Sequence, residues 1–289
     1  MAPARGDRRW DAPSSQSAKE GTRLFLKASL NRLRGRSILD AKASSAEQLF
    51  LAPPFTEEVV AAIRLISTRL PLKADEASRS LWQRESNAAA EAEYEALLPL
   101  FEKVDKPKRV LEIGPGFGRS VVFFTKKGLW PDSEINLYDA NGTSTKYKQK
   151  FYQHPPRWPD TSSFCGNLPL LHTMLDYNGV EQYEIFDAEQ LPLAALPGPY
   201  DLIYGFYSIG FHWSLEYYLD DLAPLLHERT LLVCTLNKNF RSFPRLEQFS
   251  TRVLECREVK KNAHPLRLLL LSKGPLPEVG RSLAEAFPR

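Results

Sequence analysis

The chain is short of the residues that build stapled or metal-held folds. Its three cysteines, Cys165, Cys234 and Cys256, are far apart and odd in number. That argues against a disulfide framework, and no metal-ligand spacing is present. Such usage suits a reduced, cytoplasmic compartment. Long apolar runs are missing as well. Leu268 to Leu271 is a strand-like stretch far below the length of a transmembrane helix. No signal-peptide hydrophobic region stands near Met1, and Asp7, Asp11 and Glu20 set the Arg-rich head against a transit-peptide reading. Strong charge of one sign is absent too, the net being +3. That small excess hides an asymmetry: Met1 to Arg36 carries nine Lys/Arg against three Asp/Glu. The remainder is neutral to slightly acidic, which argues against a broad nucleic-acid face on the catalytic body, although the basic head could touch an anionic surface; with no run of transmembrane length, no membrane partner is expected.

A chain of 289 residues can bury one substantial core plus an accessory region. What organises that core is Arg109 to Ser120, Arg-Val-Leu-Glu-Ile-Gly-Pro-Gly-Phe-Gly-Arg-Ser. Val110, Leu111 and Ile113 suit a buried parallel strand, and Val121 to Phe124 can pack a helix back on the sheet. Between them Gly114, Gly116 and Gly118 let the backbone approach a ligand and take positive φ. A strand, a glycine loop and a helix in this order receive a nucleotide-like ligand at the carboxyl end of a parallel sheet. Taken alone, the loop is equally a tight strand-to-helix turn. The dinucleotide fingerprint needs a further Gly or Ala five positions after the first, where this chain has Arg119.

Other candidate strands follow in step. Ile135 to Asp139 ends in a carboxylate about 20 residues beyond the last glycine, where an acidic group meets ribose hydroxyls. A carboxylate only accepts hydrogen bonds, which suits a cis-diol; the bland alternative for Asp139 is a helix cap. Tyr183 to Phe186 ends at Asp187-Ala188-Glu189. Asp201 to Phe206 forms a fourth strand and Leu231 to Thr235 a fifth.

This ordered set, Glu112-x-Gly-x-Gly-x-Gly, Asp139, Asp187 and the Tyr-Asp-Leu-Ile strand from Tyr200, resembles the class I S-adenosylmethionine-dependent methyltransferases from Arg109 to about Leu236. The resemblance implies a Rossmann-like α/β fold with a seven-stranded, mostly parallel sheet. Leu266 to Ser272 would be its antiparallel last strand. It also implies S-adenosyl-L-methionine as cofactor, held by Glu112, Gly114, Gly116, Gly118, Asp139, Asp187, Ala188, Tyr204 and Gly205. Phe206 to Trp213 and Phe164 to Leu168 are similar to a narrower group, the sugar O-methyltransferases. A sugar or glycoside hydroxyl would then be the acceptor.

Transfer of a methyl group to a hydroxyl requires the acceptor's proton to leave. His212, in the loop after the fourth strand, titrates near working pH and is the expected base. Its alternative role is to wall the methionine pocket together with Trp213. Glu216 is the second choice, or else a complement to a helix dipole. His154 and His172 are candidate substrate contacts or plain surface residues; His227 and His264 receive no role. Asp220-Asp221, the adjacent acidic pair, reads as solvated, and no metal ligands are assigned.

The expected organisation is a basic segment over 1–43, disordered or loosely helical, a helical extension over 44–104, and a catalytic domain over 105–289. An insertion at about 140–182 is longer than one crossover helix requires. Its Phe151, Tyr152 and Trp158 can stack on a flat ligand or pack locally. Within the extension, Thr56 caps a helix carrying Val59, Ile63, Ile66 and Leu70, and a longer helix runs from Asp75 to Val104, interrupted near Pro99. The extension is either a cover on the sheet or a lid. Farther on, Leu215, Leu219, Leu222 and Leu226 predict a helix capped by Ser214. Phe249 to Leu254 and the tail from Leu276 are expected to be helical. Alternatives in function are a nucleic-acid methyltransferase anchored by the basic head, a nicotinamide-dependent oxidoreductase, and a non-catalytic relative. Against the first stands the absence of an Asn/Asp-Pro-Pro-aromatic loop, and against the second Arg119. A homo-oligomer is compatible with the sequence.

Overall fold

The computed structural model describes residues 48–66, 72–140, 166–211, 214–236, 240, 243–256 and 266–287. Seven strands form one sheet: β1 (Arg109–Ile113), β2 (Glu134–Asp139), β3 (Tyr183–Asp187), β4 (Tyr200–Gly205), β5 (Leu226–Leu236), β6 (Ser250–Cys256) and β7 (Leu266–Ser272), in the order β3-β2-β1-β4-β5-β7-β6. The pairs among β1 to β5 are parallel, and β7 runs antiparallel to both of its neighbours. The fold is therefore the Rossmann-like mixed sheet that the motif order implies. The order reverses between β1 and β4, and such a switch point opens a crevice outside the carboxyl ends of the strands.

Alternation along the strands divides the core. One face carries Val110, Leu137, Leu202, Tyr204 and Val233. Against it lie α1 (Glu57–Ile66), α2 (Glu76–Phe101), α3 (Arg119–Lys126) and α4 (Leu168–Tyr177), through Ile63, Leu97, Phe124 and Met174. The other face carries Leu111, Ile113, Ile203 and Leu232, covered by Leu215, Leu219 and Leu222 of α5 (Leu215–Leu222) and by Ala286 of α6 (Leu283–Ala286). Strands buried on both faces explain why β1 and β5 read as continuous apolar runs.

Several local expectations need correction. Phe249 to Leu254 is not helical: Thr251 and Val253 favour an extended chain, and β6 pairs with β7 over its whole length. Leu226 opens β5 instead of closing α5. Pro224 sits in the intervening 3-10 turn, where the missing N–H stops the α-helix. The tail holds only the short α6, because Arg281 bridges to Val253 before it. Conversely, α2 runs through Pro99 to Phe101. Thr56 caps α1 as expected, its Oγ1 accepting from Val59 N at 3.2 Å, whereas Ser214 precedes α5 without a side-chain cap bond; Asp75, not expected as a cap, accepts at Oδ1 from Ser78 N at 2.7 Å.

The described part of the helical extension is a tightly held layer. Asn87 of α2, fully buried, accepts from Phe50 N and donates to Phe50 O, both at 2.8 Å. Asn178 clamps Leu51 in the same two-handed way at 2.7 and 2.9 Å. These amides supply to residues 50 and 51 the hydrogen bonds that a neighbouring strand would give. The expectations for 1–43 and for Thr143 to Tyr152, including Phe151, Tyr152, His154 and Trp158, lie outside the described residues, as do Cys165, His212, Trp213 and His264.

Candidate active site

The glycine loop leaves β1 by crossing toward β2, Gly114 N donating to Tyr138 O at 2.8 Å. Gly114, Gly116 and Gly118 have φ of 70°, 59° and 70°, values that a Cβ disfavours. Space forbids a side chain as well. A Cβ on Gly114 would lie 2.6 Å from Ser208 Cβ, and one on Gly205 2.9 Å from Ile113 O. Ser208 Oγ donates to Ile113 O, so the residues after β4 are seated on the end of β1. Gly114 and Gly205 are thus brought together at the switch point.

Asp139, at the carboxyl end of β2, has Asp187 of β3 as its register partner. Asp139 Oδ2 accepts from Gly116 N at 3.1 Å and Oδ1 from Ala140 N at 2.8 Å. It is 3% exposed, and Gly166 lies directly on it, a Cβ there meeting Asp139 Cγ at 2.8 Å. Burial pushes its pKa up to about 7, against the two N–H donors. Asp187 is half-buried, and its carboxylate accepts from Glu189 N and Gln190 Nε2 at 2.9 and 3.0 Å. Ala188 is buried, its N–H donating to Asp139 O at 2.8 Å. The two acidic strand ends are therefore adjacent, and one of them reaches the glycine loop.

Two of the expected cofactor residues face elsewhere. Glu112 and Tyr204 are register partners on β1 and β4, and both are buried. Tyr204 OH donates to Glu112 Oε2 at 2.9 Å, inside a ring cluster with Phe124, Trp130 and Phe206. Strand alternation sends both side chains to the face covered by α1 to α4. Neither side chain offers itself to the crevice, a departure from the resemblance. Burial pushes Glu112 up to about 8, nearby Glu93 and Asp139 add to it, and Tyr204 and Arg119 oppose it.

Glu216 stands exposed in the first turn of α5. Among the described residues it forms no hydrogen bond or ion pair with the glycine loop. His172 contacts Tyr183 OH at 3.1 Å; Tyr183 opens β3, so this contact lies at the strand end opposite Asp187. His227 meets Asp201 at 3.2 Å, likewise near the start of β4. Asp220 pairs with Arg245 at 2.5 Å. Among the described residues no group of His, Cys, Asp and Glu is arranged to hold a metal ion.

The sequence reading did not single out Glu93. On α2 it is 1% exposed and hydrogen-bonds to Arg119, while Ser120 Oγ donates to it at 3.4 Å. Its signal was available: it stands with Ala90, Leu97 and Leu100 on the buried stripe of α2, and a charge there demands a partner. Burial alone would lower the pKa of Arg119, but Glu93 beside it raises it. Arg119 also lies over the Tyr207 ring, 5.8 Å from its centroid. Tyr207 adopts φ 58°, the single non-glycine residue with positive φ among those described. That kink turns its ring outward, 38% exposed, between buried Phe206 and the inward Ser208. Its ring also meets Phe211 edge-on at 5.1 Å.

No protein-family model and no curated protein matches the chain. Solved structures do resemble it. Cofactor-bound Rv0187 from MTB is 15% identical, covering 77% of this chain and 99% of its own, with a TM-score of 0.44. Precorrin-6y C5,15-methyltransferase from Geobacter metallireducens GS-15 is 14% identical over 64% of this chain and 88% of its own, TM-score 0.40. TrmN from Thermus thermophilus is 16% identical over 62% and 47%, TM-score 0.40. Likeness at this level concerns the chain path and carries nothing about substrate or chemistry.

Proposed function

We propose that this chain is an S-adenosylmethionine-dependent methyltransferase acting on a hydroxyl of a small molecule, a sugar or glycoside. The observation that carries the reading is the carboxyl rim at the switch point. There a loop of three glycines, all at positive φ, lies beside Asp139 and Asp187 on neighbouring strand ends. The loop suits an adenosyl thioether better than a dinucleotide, because the position that needs a small residue for the pyrophosphate turn is occupied by Arg119.

The residues present fit the cofactor. Asp187 stands half-buried at the rim as an acceptor for the adenine amino group, and Asp139, its carboxylate buried beneath Gly166, is the proposed acceptor for the ribose hydroxyls. Gly114 and Gly205 carry no Cβ because Ser208 and Ile113 O fill that space, which seats the loop after β4 against the glycine loop at the rim. When bound, the cofactor supplies an electrophilic methyl group. What remains for the protein is to align the acceptor, exclude water and take up a proton. His212, in the loop following β4, is the proposed base, and Glu216 the alternative. The sugar acceptor rests on the likeness of Phe206 to Trp213 and of Phe164 to Leu168 to sugar O-methyltransferases. Within the second stretch, Gly166 covers Asp139, and Asn167 Oδ1 caps α4 by accepting from Leu170 N at 3.0 Å.

Calorimetric titration with S-adenosylhomocysteine tests the core of this reading, and saturable one-to-one binding is expected. Labelled-methyl transfer to glycan and glycoside libraries, with and without a chelator, then tests the acceptor. Absence of binding to folded protein rejects the assignment. Binding with transfer only to nucleic acid rejects the acceptor class.

A further inference from the structure

Access to Asp139 is closed by the chain itself. Its two carboxylate oxygens accept from Gly116 N and Ala140 N, and the residue is 3% exposed. Each oxygen keeps a lone pair for a further donor. Against them lies Gly166, the residue ahead of the Asn167 cap of α4. A Cβ on Gly166 would stand 2.3 Å from Ala140 O and 2.8 Å from both Cγ and Oδ1 of Asp139. Gly166 is not among the glycines with positive φ. Close main-chain contact, and not backbone conformation, is therefore what requires glycine there. Where a single Cβ does not fit, a ribose diol does not fit either.

This cover leads into a helix that is pinned at its far end. Asn178, the C-cap of α4, accepts from Leu51 N at 2.7 Å and from Lys126 Nζ at 3.1 Å, and donates to Leu51 O at 2.9 Å. Leu171, Met174 and Leu175 are fully buried in the middle of the helix. Leu175 and Leu171 also fill the place of a Cβ on Gly118, at 2.8 and 3.1 Å, so α4 lies on the glycine loop. The amino-terminal end is less deeply set. Pro169 is exposed, Asn167 and Leu168 are half-buried, and the capping bond runs within the turn, from Leu170 N to Asn167 Oδ1. A helix anchored at one end and shallow at the other opens locally at the shallow end.

We propose that Gly166 and Asn167 form a latch over Asp139, shut in the arrangement seen, which swings aside from the pinned α4 to admit the nucleoside end of the ligand. A ligand that binds only the open form has its apparent affinity lowered by the open fraction. The latch therefore trades affinity for control of entry. The inference rests on reading the rim as an S-adenosyl crevice. It gives residues 166–178 a gating part, separate from any contact with the acceptor.

The test follows S-adenosylhomocysteine binding to the full chain by stopped-flow tryptophan fluorescence. Trp82, edge-on to Phe117 in the glycine loop, is the reporter. The observed rate should climb with ligand concentration and then level off at the rate of latch opening. Gly166→Ala cannot sit shut, although its φ suits alanine. It should raise the plateau at least about tenfold and bind as tightly as wild type or more so. Asn167→Ala, which removes the cap, serves where the first variant does not fold, and its plateau should rise about two- to tenfold. Gly128→Ala, with open space around its Cβ, should keep the wild-type plateau. Three results overturn the latch while leaving the crevice assignment standing: a rate linear in ligand throughout, a plateau that the latch variants do not raise, or one that Gly128→Ala raises equally. Wild-type protein that shows no saturable binding by calorimetry rejects the crevice assignment, and the latch with it.

Discussion

Tyr204 and Glu112 face one another across adjacent parallel strands, the phenol donating to the carboxyl at 2.9 Å in a site closed to solvent. The acidic residue ahead of the glycine loop is thereby a member of the core, tied to β4. Tyr204→Phe removes the donor without changing the shape of the ring cluster. It should cost about 1–3 kcal/mol, the usual loss when a buried acceptor is left alone. Urea denaturation should show the midpoint falling with the slope unchanged. An unaltered midpoint would mean that the pair contributes nothing.

The same carboxyl makes stability depend on pH. In the native state Glu112 keeps its proton up to about pH 8, whereas its ordinary value is 4.5. Between those values the native state binds more protons than the unfolded state, so stability falls as pH rises through the window. Asp139, pushed from 3.8 to about 7, contributes with the same sign over its own range. Glu112→Gln keeps a neutral hydrogen-bonding group in place. The melting temperature of this variant should fall less between pH 5 and pH 8 than that of wild type, by the equivalent of roughly a few kcal/mol. Parallel pH profiles would show that Glu112 is already ionised in the native protein.

Gly114→Ala combines two penalties, a positive φ of 70° and a Cβ 2.6 Å from Ser208 Cβ. Gly128→Ala isolates the first, because Gly128 has φ 72° with nothing near its would-be Cβ. The Gly128 variant should lose about 1 kcal/mol and bind S-adenosylhomocysteine as wild type does. Gly114→Ala should lose more stability and at least about tenfold in affinity. Equal behaviour of the two variants would take the loop at Gly114 out of ligand binding.

His212→Ala addresses the chemistry. If His212 takes the acceptor's proton, the variant should bind S-adenosylhomocysteine normally and lose about 10²- to 10⁴-fold in transfer. Glu216→Gln, at an exposed position of α5, should then transfer at close to the wild-type rate. Full turnover by His212→Ala, with loss in Glu216→Gln, would exchange the two assignments.

The strands that flank the crevice were legible because each is buried on both faces. Val110-Leu111, Ile203 and Leu232 leave no polar alternation to misread, and glycine or aspartate marks the carboxyl ends of β1 to β4. The helix start at Thr56 was legible through cap chemistry, which is local. Reading failed where local preference was weak and a distant partner decided. Residues 250–256 became a strand because β7 lies beside them. Leu226 entered a strand because Tyr200 of β4 pairs with it.

By itself, then, the sequence determined the order of the parallel strands, the glycine loop and the acidic strand ends, since these depend on spacing along a few residues. Only tertiary structure decided which way the side chains between them face. Glu112 and Tyr204 carry the right chemistry at the right spacing, yet register and alternation pair them in the core. Arg119 drew notice only as a missing glycine, and Glu93, 26 positions earlier, not at all. Their meeting beside the crevice is fixed by how α2 packs on α3, a contact between surfaces that no short stretch of sequence encodes.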